Sequence, residues 1–531
     1  MRLLLHFCWA AMVTGFTPVF AQNALQPDPT GTAAEAPLVA PAAEVPPSRV
    51  GRVSFVSGAF ELRGSGEAGW ARAELNWPVF TGEALRTAPR SRGEIEIGAN
   101  TLALSDGAEV EITGLRDRVT QITLSHGRMG LRLRQAGEDE SVEIYIPQGG
   151  IWLLAPGTYD VDTSGDGQTA QITVFEGKAQ FVGATSDIEI ATGRTLILKD
   201  LDAAAAAVEP ATPDDFVEWC RGRDYRASSL ATPYYISSHM TGFAALDSAG
   251  IWKVDSDYGP VWFPSASEDW APLRFGHWRW VAPWGWTWID DRSWGFAPSH
   301  YGRWILIDDH WAWVPGSFVK RPIYAPAIVA FLGTPGVGLS SEDGATVAWF
   351  PLAPGEAYWP SYARDVDYVR DLNRGNVRDV GTIRMPANGE PPLEVFDEQF
   401  ANRQYASVVP RSVFINGRPV DQALMTLPEQ RLHDAPVLMA SPRLVPASAQ
   451  PVARAVTPSV IGPTNRVGVK EGKRSGKLIR SASAQLQRRD GQTVVIRGTH
   501  PRALSYAGSF HGRQLIVLHA AQPRGGRRAH G

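Results

Sequence analysis

Twelve tryptophans lie between Trp252 and Trp313, and indole has one obvious chemistry, stacking its flat face on the apolar face of a sugar ring. Trp278/Trp280, Trp286/Trp288 and Trp311/Trp313 are i, i+2 pairs, so on a strand each pair shares one face. Trp304 stands where Trp278 stands, 26 residues on. These seven residues are the candidate ligand-binding set, a groove in which a few indoles hold an envelope glycan. The competing reading is that they are core. Each offers ~150–250 Å² to bury, far more in total than a soluble monomer leaves exposed.

Other residue types make weaker offers. Asp290-Asp291 and Asp308-Asp309 are turn residues, hydroxyl acceptors or, as an alternative, the carboxylates of a cell-wall glycosidase, which needs two acids facing each other at about 5–9.5 Å. His277, His300 and His310 follow the sequence repeat rather than metal-ligand spacing. "DVDTSGDGQTAQ" from Asp160 starts like a calcium loop, but its twelfth position is Gln171, so a tight hairpin turn is expected. Cys220 has no His nearby in sequence and reads as a packed thiol. No nucleophile elbow, zinc-protease helix or phosphate loop is present. The chain therefore reads as non-enzymatic, with no cofactor and no metal.

The elements that must carry these residues are mainly β. Gly 52 and Pro 40 in 531 residues point to many turns. From Arg49 to Asp200 apolar residues alternate in short runs, as at Ile95/Ile97, Leu102/Leu104, Val110/Ile112, Met129/Leu131/Leu133 and Ile172/Val174. Strands of that pattern have one wet face and form mostly antiparallel sheets. "ATPDDFVEWCRGRDYRASSL" opens a helix, with Thr212 as N-cap and Pro213 at its first position. Further on, Gly259–Trp262 aligns with Gly285–Trp288, and "APLRFGHW" aligns with "APSHYGRW", both at an offset of 26. Trp311-Ala312-Trp313 begins a third copy. The repeating unit is expected to be a strand, an Ala-Pro corner and a second strand.

"MRLLLHFCWAAMVTGFTPVFAQN" reads as a secretory signal cut after Ala21, and no later stretch is apolar enough to span a membrane. A periplasmic location and no transmembrane span after signal removal are expected. Cys220 is then the only thiol. The net charge of −4 is uneven: Ser441–Gly531 holds 16 Lys/Arg against Glu471 and Asp490, a net of +14, leaving −18 on the first 440 residues. Such a tail suits an anionic envelope surface, and no nucleic acid is expected. The organisation reads as signal 1–21, Ala/Pro-rich linker 22–48, β domain 49–200, helical connector 201–248, Trp-rich repeat module 249–360, mixed extension 361–440 and a basic, largely disordered tail 441–531. "GQTVVIRG" and "RQLIVLHA" are the two stretches of that tail able to form strands.

Two regions resemble known families. "GRVSFVSGAFEL", "LNWPVFTGEALRT", "GEIEIGANTLAL" and "IPQGGIWLLAPGTYDVD…ITVFEGKAQF", with Gly157, Tyr159, Glu176 and Gly177, resemble the FecR-like periplasmic β domain. "WAPLRFGHWRWVAPWGWTWIDD", "WGFAPSHYGRW" and "VAWFPLAPGEAYWPSY" are similar to an uncharacterised Trp-rich family found attached to that domain in exported proteobacterial proteins. The resemblance implies a scaffold or sensing module followed by a module that binds glycan or a protein partner. It brings no catalytic residues. FecR sensors carry a cytoplasmic segment and a membrane helix ahead of the β domain, where this sequence has the signal-like run. The expected function is a periplasmic scaffold or binding protein, with a glycan-acting enzyme or a signalling partner of an outer-membrane receptor as alternatives.

Overall fold

The structure is a computed structural model. It describes residues 46–444, apart from 66, 136–139, 201–205, 228–231, 233–234, 334–338, 342–343, 384–393, 396–399, 440, 443 and the side chains at several strand and helix ends, together with four short strands between 485 and 519. The signal expectation, and the linker expectation up to residue 45, fall on residues outside that set. The described chain is mainly β, in several antiparallel sheets with short helices.

Alternation along the first strands produces a two-layer sandwich. One layer pairs Gly51–Ser57, Arg92–Ile97, Asn100–Leu104, the end of Val119–Leu133, Gly157–Thr163 and Ala170–Glu176 in antiparallel order. The other runs through Glu109–Arg116 and the start of the same long strand. There Ser141–Ile146 adds a parallel neighbour. The predicted apolar set, including Ile95, Leu102, Leu131 and Ile172, fills the space between the layers. The Asp160 stretch is the expected hairpin: Asp160 and Asp162 end a strand, Gly167 takes a positive φ, and its N–H donates to the Ser164 carbonyl at 2.8 Å.

A helix, α1 (Asp215–Ala227), lies over the first layer. It starts later than Thr212 suggested. Asp214 is the cap: its carboxylate accepts from the N–H groups of Phe216 and Val217, both at 3.1 Å. A carboxylate at that end also suits the helix dipole and a nearby arginine.

The 26-residue period is real, but its frame is different. The repeating unit is a hairpin: Gly250–Asp255 with Gly259–Pro264, Gly276–Val281 with Gly285–Asp290, and Arg303–Ile307 with His310–Val314. Each has facing tryptophans, Trp252↔Trp262, Trp278↔Trp288 and Trp304↔Trp313. The Ala-Pro corners Ala271-Pro272 and Ala297-Pro298 lie between hairpins and not inside the unit. Gly250, Gly276 and Gly302 open the three units, and a Cβ on any of them would sit 2.5, 2.8 and 2.5 Å from the indoles of Trp262, Trp288 and Trp313. The repeat thus conserves a backbone–indole contact that only glycine permits. The first and third hairpins join in one four-stranded sheet, while the second pairs only with itself. Asp308 and Asp309 form the third hairpin's two-residue turn, with φ of 49° and 61°, a left-handed turn that Asp tolerates.

Nine of the twelve tryptophans are buried, which decides their role. Trp278, 1% exposed, is ringed by Trp288, Trp349, Phe331 and Phe414 at 5.2–5.6 Å between centroids. Four of the buried indole N–H groups find oxygens: Trp262 donates to the Leu246 carbonyl, Trp288 to Asp290, Trp304 to the Pro298 carbonyl and Trp313 to the Tyr301 carbonyl, at 2.9–3.1 Å, whereas that of Trp278 has no hydrogen-bond partner among the described residues. The same core takes in Val50 and Phe80 of the sandwich. Polar contacts close the junction. Asn76, fully buried, donates to the carbonyls of Asp290 and Arg292 at 2.8 and 2.7 Å and accepts from Arg52 at 2.7 Å. Glu74 accepts from His277 and Arg279 at 2.7 and 2.6 Å. The sandwich keeps its own core, and the hairpin core joins it through Val50, Phe80 and the half-buried Trp77, which packs against both.

Two buried ionisable groups in this core give it a pH signature. Burial drives His300 down to about 3, so the fold holds it neutral, its Nδ1–H donated to the Ala325 carbonyl at 2.8 Å. The stability tied to this neutral form is complete above ~6.5 and is lost as pH falls toward 3. Burial also lifts Asp290 to about 6, against hydrogen bonds from the Trp288 indole and the Arg292 N–H. Its effect has the opposite sign, present below the unfolded carboxylate range and lost as pH rises through 6. Replacing His300→Asn keeps a donor but removes the titration. Between pH 7 and 5 the variant is expected to lose about 2 kcal/mol less stability than the wild type, measured by urea unfolding at each pH. Equal losses in the two proteins would contradict this.

In the basic tail the two anticipated strands are present as Thr493–Gly498 and Arg513–His519, mutually parallel. They are flanked by Gln485–Arg489 and Tyr506–Phe510 in a four-stranded sheet. The expected disorder elsewhere in 441–531 falls mostly outside the described residues.

Candidate ligand cleft beneath the connecting helix

The candidate ligand set drawn from the tryptophans divides sharply. Trp278, Trp286, Trp288, Trp304 and Trp313 are core residues whose rings are covered by the chain itself, so they offer no ligand face. Trp311 is half-buried against Tyr405 at 5.4 Å. Trp280, 37% exposed, stands edge-on to Trp286. A stacking groove needs neighbouring exposed indoles, and of the seven candidates Trp280 alone is exposed. The four acids also separate. Asp290 is buried as an acceptor for Trp288, Asp291 is exposed beside His277 at 3.8 Å, and Asp308-Asp309 form a surface turn. Among the described residues no group of three or more His, Cys, Asp or Glu is placed to hold a metal ion.

The site that the fold does build lies under α1. Strand register sets the outer face of the first layer in two rows. One runs Arg52, Glu96, Thr101, Arg132, Thr158 and the other Glu94, Ala103, Gly130, Asp160. This is the wet face of the alternation, and α1 roofs it. Phe216 and Trp219 stack at 5.9 Å, and arginines from the sheet and the helix cover the rings. Arg92 lies 4.9 Å from Trp219, Arg128 5.0 Å from Phe216, and Arg223 4.2 Å from Phe55. The middle of the floor is Ala103 and Gly130, and the roof comes down on Gly130, where a Cβ would sit 3.2 Å from the Cys220 sulfur and 3.5 Å from the Phe216 ring. A cavity of about 390 Å³ remains, closed on one side by Ala244, Ala245, Ser248 and Ser293 of the Trp-rich half.

Its walls are charged and ordered by ion pairs. Arg223 grips Glu94 through two bonds at 2.6 and 2.8 Å, and Arg52 holds Glu96 at 2.8 Å. Arg132 and Arg134 both meet Asp224 of α1. Arg128 bridges Asp160 on the floor, at 2.9 Å, and the cap Asp214, at 2.5 Å. Burial raises Asp160 to about 7 despite Arg128, helped by the charges of Asp162 and Asp214. Asp162 is raised for the same first reason, burial. Cys220 also lines the cavity, its thiol pushed up to about 12 by burial. It packs against Gly130 of the floor, as the sequence reading of a packed thiol expected.

None of the charged cleft residues stands out in the sequence, because a wet face and a roofed face share one polar–apolar alternation. The available signal is compositional. The outward positions of Gly51–Ser57, Arg92–Ile97 and Val119–Leu133 carry Arg and Glu in register, where Ser, Thr or Asn would be commoner on a free β surface.

Residues 243–356 match a family of unknown function (DUF6600), a span that covers all three hairpins. No curated protein matches the chain. Among solved structures, a protein titled as an anti-sigma factor from Parabacteroides distasonis ATCC 8503, known from two crystal structures, is similar at 11% identity with a TM-score of 0.24. The similarity covers 26% of this chain and 64% and 65% of those chains. The chain therefore spans less than two thirds of the length of these structures. No described helix is long and apolar enough to cross a membrane.

Proposed function

We propose that this is an exported, non-enzymatic binding protein of the cell envelope, whose ligand site is the cleft beneath α1. The signal-like run at 1–21 supports a periplasmic location. The tryptophan hairpins act as a rigid support welded to the sandwich, and they leave glycan stacking without a platform. One observation carries the reading: a charged, roofed cavity of about 390 Å³ built from both halves of the body. That volume lies within the range of small-molecule sites, ~300–1,000 Å³. Enclosed charges need polar company, so the cavity holds either water or a polar ligand.

Hydrogen exchange across Asp215–Ala227 tests it. With the small-molecule fraction of a periplasmic extract at ~10 times the dissociation constant, opening of α1 should slow about 10-fold. Gly130→Leu, whose Cβ alone would sit 3.2 Å from the Cys220 sulfur, fills the floor and should abolish the slowing. Exchange that is indifferent to the extract would refute the site.

A further inference from the structure

The roof of the cleft is fastened more by charge than by apolar contact. Among the described side chains of α1 only Phe216 and Val217 are buried. The rest of the hold is ionic: Arg223 reaches Glu94, Asp224 takes Arg132 and Arg134, and the cap Asp214 takes Arg128. Partly exposed pairs trade their partners for water at little net cost. A helix held in this way opens before the strands beneath it. One fastener joins floor and roof directly. Arg128 donates from Nε to both oxygens of Asp160, at 2.9 and 3.0 Å, and from its terminal nitrogens to Asp214, at 2.5 and 3.1 Å. Asp214 in turn caps the first turn of α1.

Asp160 lies under α1. At Gly130, its partner across the strand pair, the Cys220 sulfur and the Phe216 ring close over the floor. The groups facing Asp160 are Arg128 from the neighbouring strand, Asp162 from its own, Asp214 from the cap and Cys220 from α1, with Glu94 and Arg92 near the same thiol. Docking α1 takes this carboxyl out of water, and burial holds it at about 7. On a sheet face open to water it returns to the ordinary range, ~4. We infer that α1 is a proton-linked strap: it lifts from the sheet as a unit to admit ligand, and the Asp160 carboxyl gives up its proton as it lifts. The lifting stands on its own, whereas its role as a gate rests on the cleft being a ligand site. A carboxyl held higher when docked than when lifted favours docking below both values, and that benefit is lost as pH rises through 7. Acid therefore fastens the strap and neutral pH loosens it. Asp162, raised by burial, acts in the same direction. Asp214, drawn down by its hydrogen bonds from Arg128, acts in the opposite direction, but only below ~4.

The test follows hydrogen exchange of the ligand-free chain at pH 5 and pH 6, each corrected for the intrinsic exchange rate at that pH. Amides of α1 should open about 10-fold more readily at pH 6, one proton released per opening. Those of the floor strand Asn100–Leu104 should stay better protected at both values. Asp160→Asn should cut the ratio to about 3-fold or less. Alkylation of Cys220 by iodoacetamide, referred to the denatured chain at the same pH, reads the same motion without a substitution, and its rate should follow the α1 amides. A ratio of one in the wild type overturns the strap, and so does an undiminished ratio in Asp160→Asn. Cys220 reacting no faster than the Asn100–Leu104 amides open would also overturn it, because opening would then be global. In each of these cases protection of α1 by the periplasmic extract would still support the cleft. A pH-linked lifting that no extract slows would keep the strap and overturn its role as a gate.

Discussion

Trp278→Ala should cost about 3–5 kcal/mol, the scale of emptying a large buried aromatic site, and should do so without touching any ligand. The indole fills a space enclosed by Trp288, Trp349, Phe331 and Phe414. Four rings from four separate strands and helices cannot collapse together into the void. Trp280→Ala, one residue pair along the same strand, removes a ring that is 37% exposed and should cost about 1 kcal/mol or less. The ratio between the two, read from denaturant midpoints at constant slope, distinguishes a core from a binding platform. Similar small effects at both positions would mean that the hairpins are not the core described.

The second large effect is expected at Asn76. Its amide ties the sandwich to the Asp290–Ser293 loop through two carbonyls and holds Arg52 through its oxygen. Asn76→Ala leaves two buried carbonyls and a buried guanidinium short of partners, each worth ~1–3 kcal/mol. Its φ of 64° adds strain for alanine. A loss of about 3 kcal/mol or more is expected, with Asn76→Gly milder by about 1 kcal/mol because the backbone strain is relieved. Because the loop also orders Ser293 and Arg52 at the cleft, the variant should show faster hydrogen exchange in Arg92–Ile97 and Gly285–Asp290 together. Faster exchange in one alone would mean that the two halves are not coupled through this residue.

How far the sequence speaks depends on what period its residues keep. Period two at Ile95/Ile97 or Met129/Leu131/Leu133 names both the strands and their buried face, since a pleated strand has no other way to present those side chains. Period 26 finds the tryptophan units, and the need to bury so much indole points to a core. The frame of the unit escapes, because Ala-Pro and Asp-Asp are both turn sequences and only pairing shows which joins a hairpin. The glycines at 250, 276 and 302 hold the answer, but their meaning is a contact with an indole ten or more residues away. Helix capping fails by two residues for a similar reason. Thr212 and Asp214 are both good caps, and Arg128, distant in sequence, favours the carboxylate. The cleft is least legible of all. Its arginines and acids look like an ordinary solvated face until α1 is seen lying across them.

The central claim is that ligand binds under α1 and not on the tryptophan surface. Binding of the periplasmic small-molecule fraction, compared among wild type, Gly130→Leu and Trp280→Ala by equilibrium dialysis, tests it in one measurement. Retention by wild type and Trp280→Ala with loss in Gly130→Leu is the predicted result. Loss in Trp280→Ala with retention in a folded Gly130→Leu protein would contradict it.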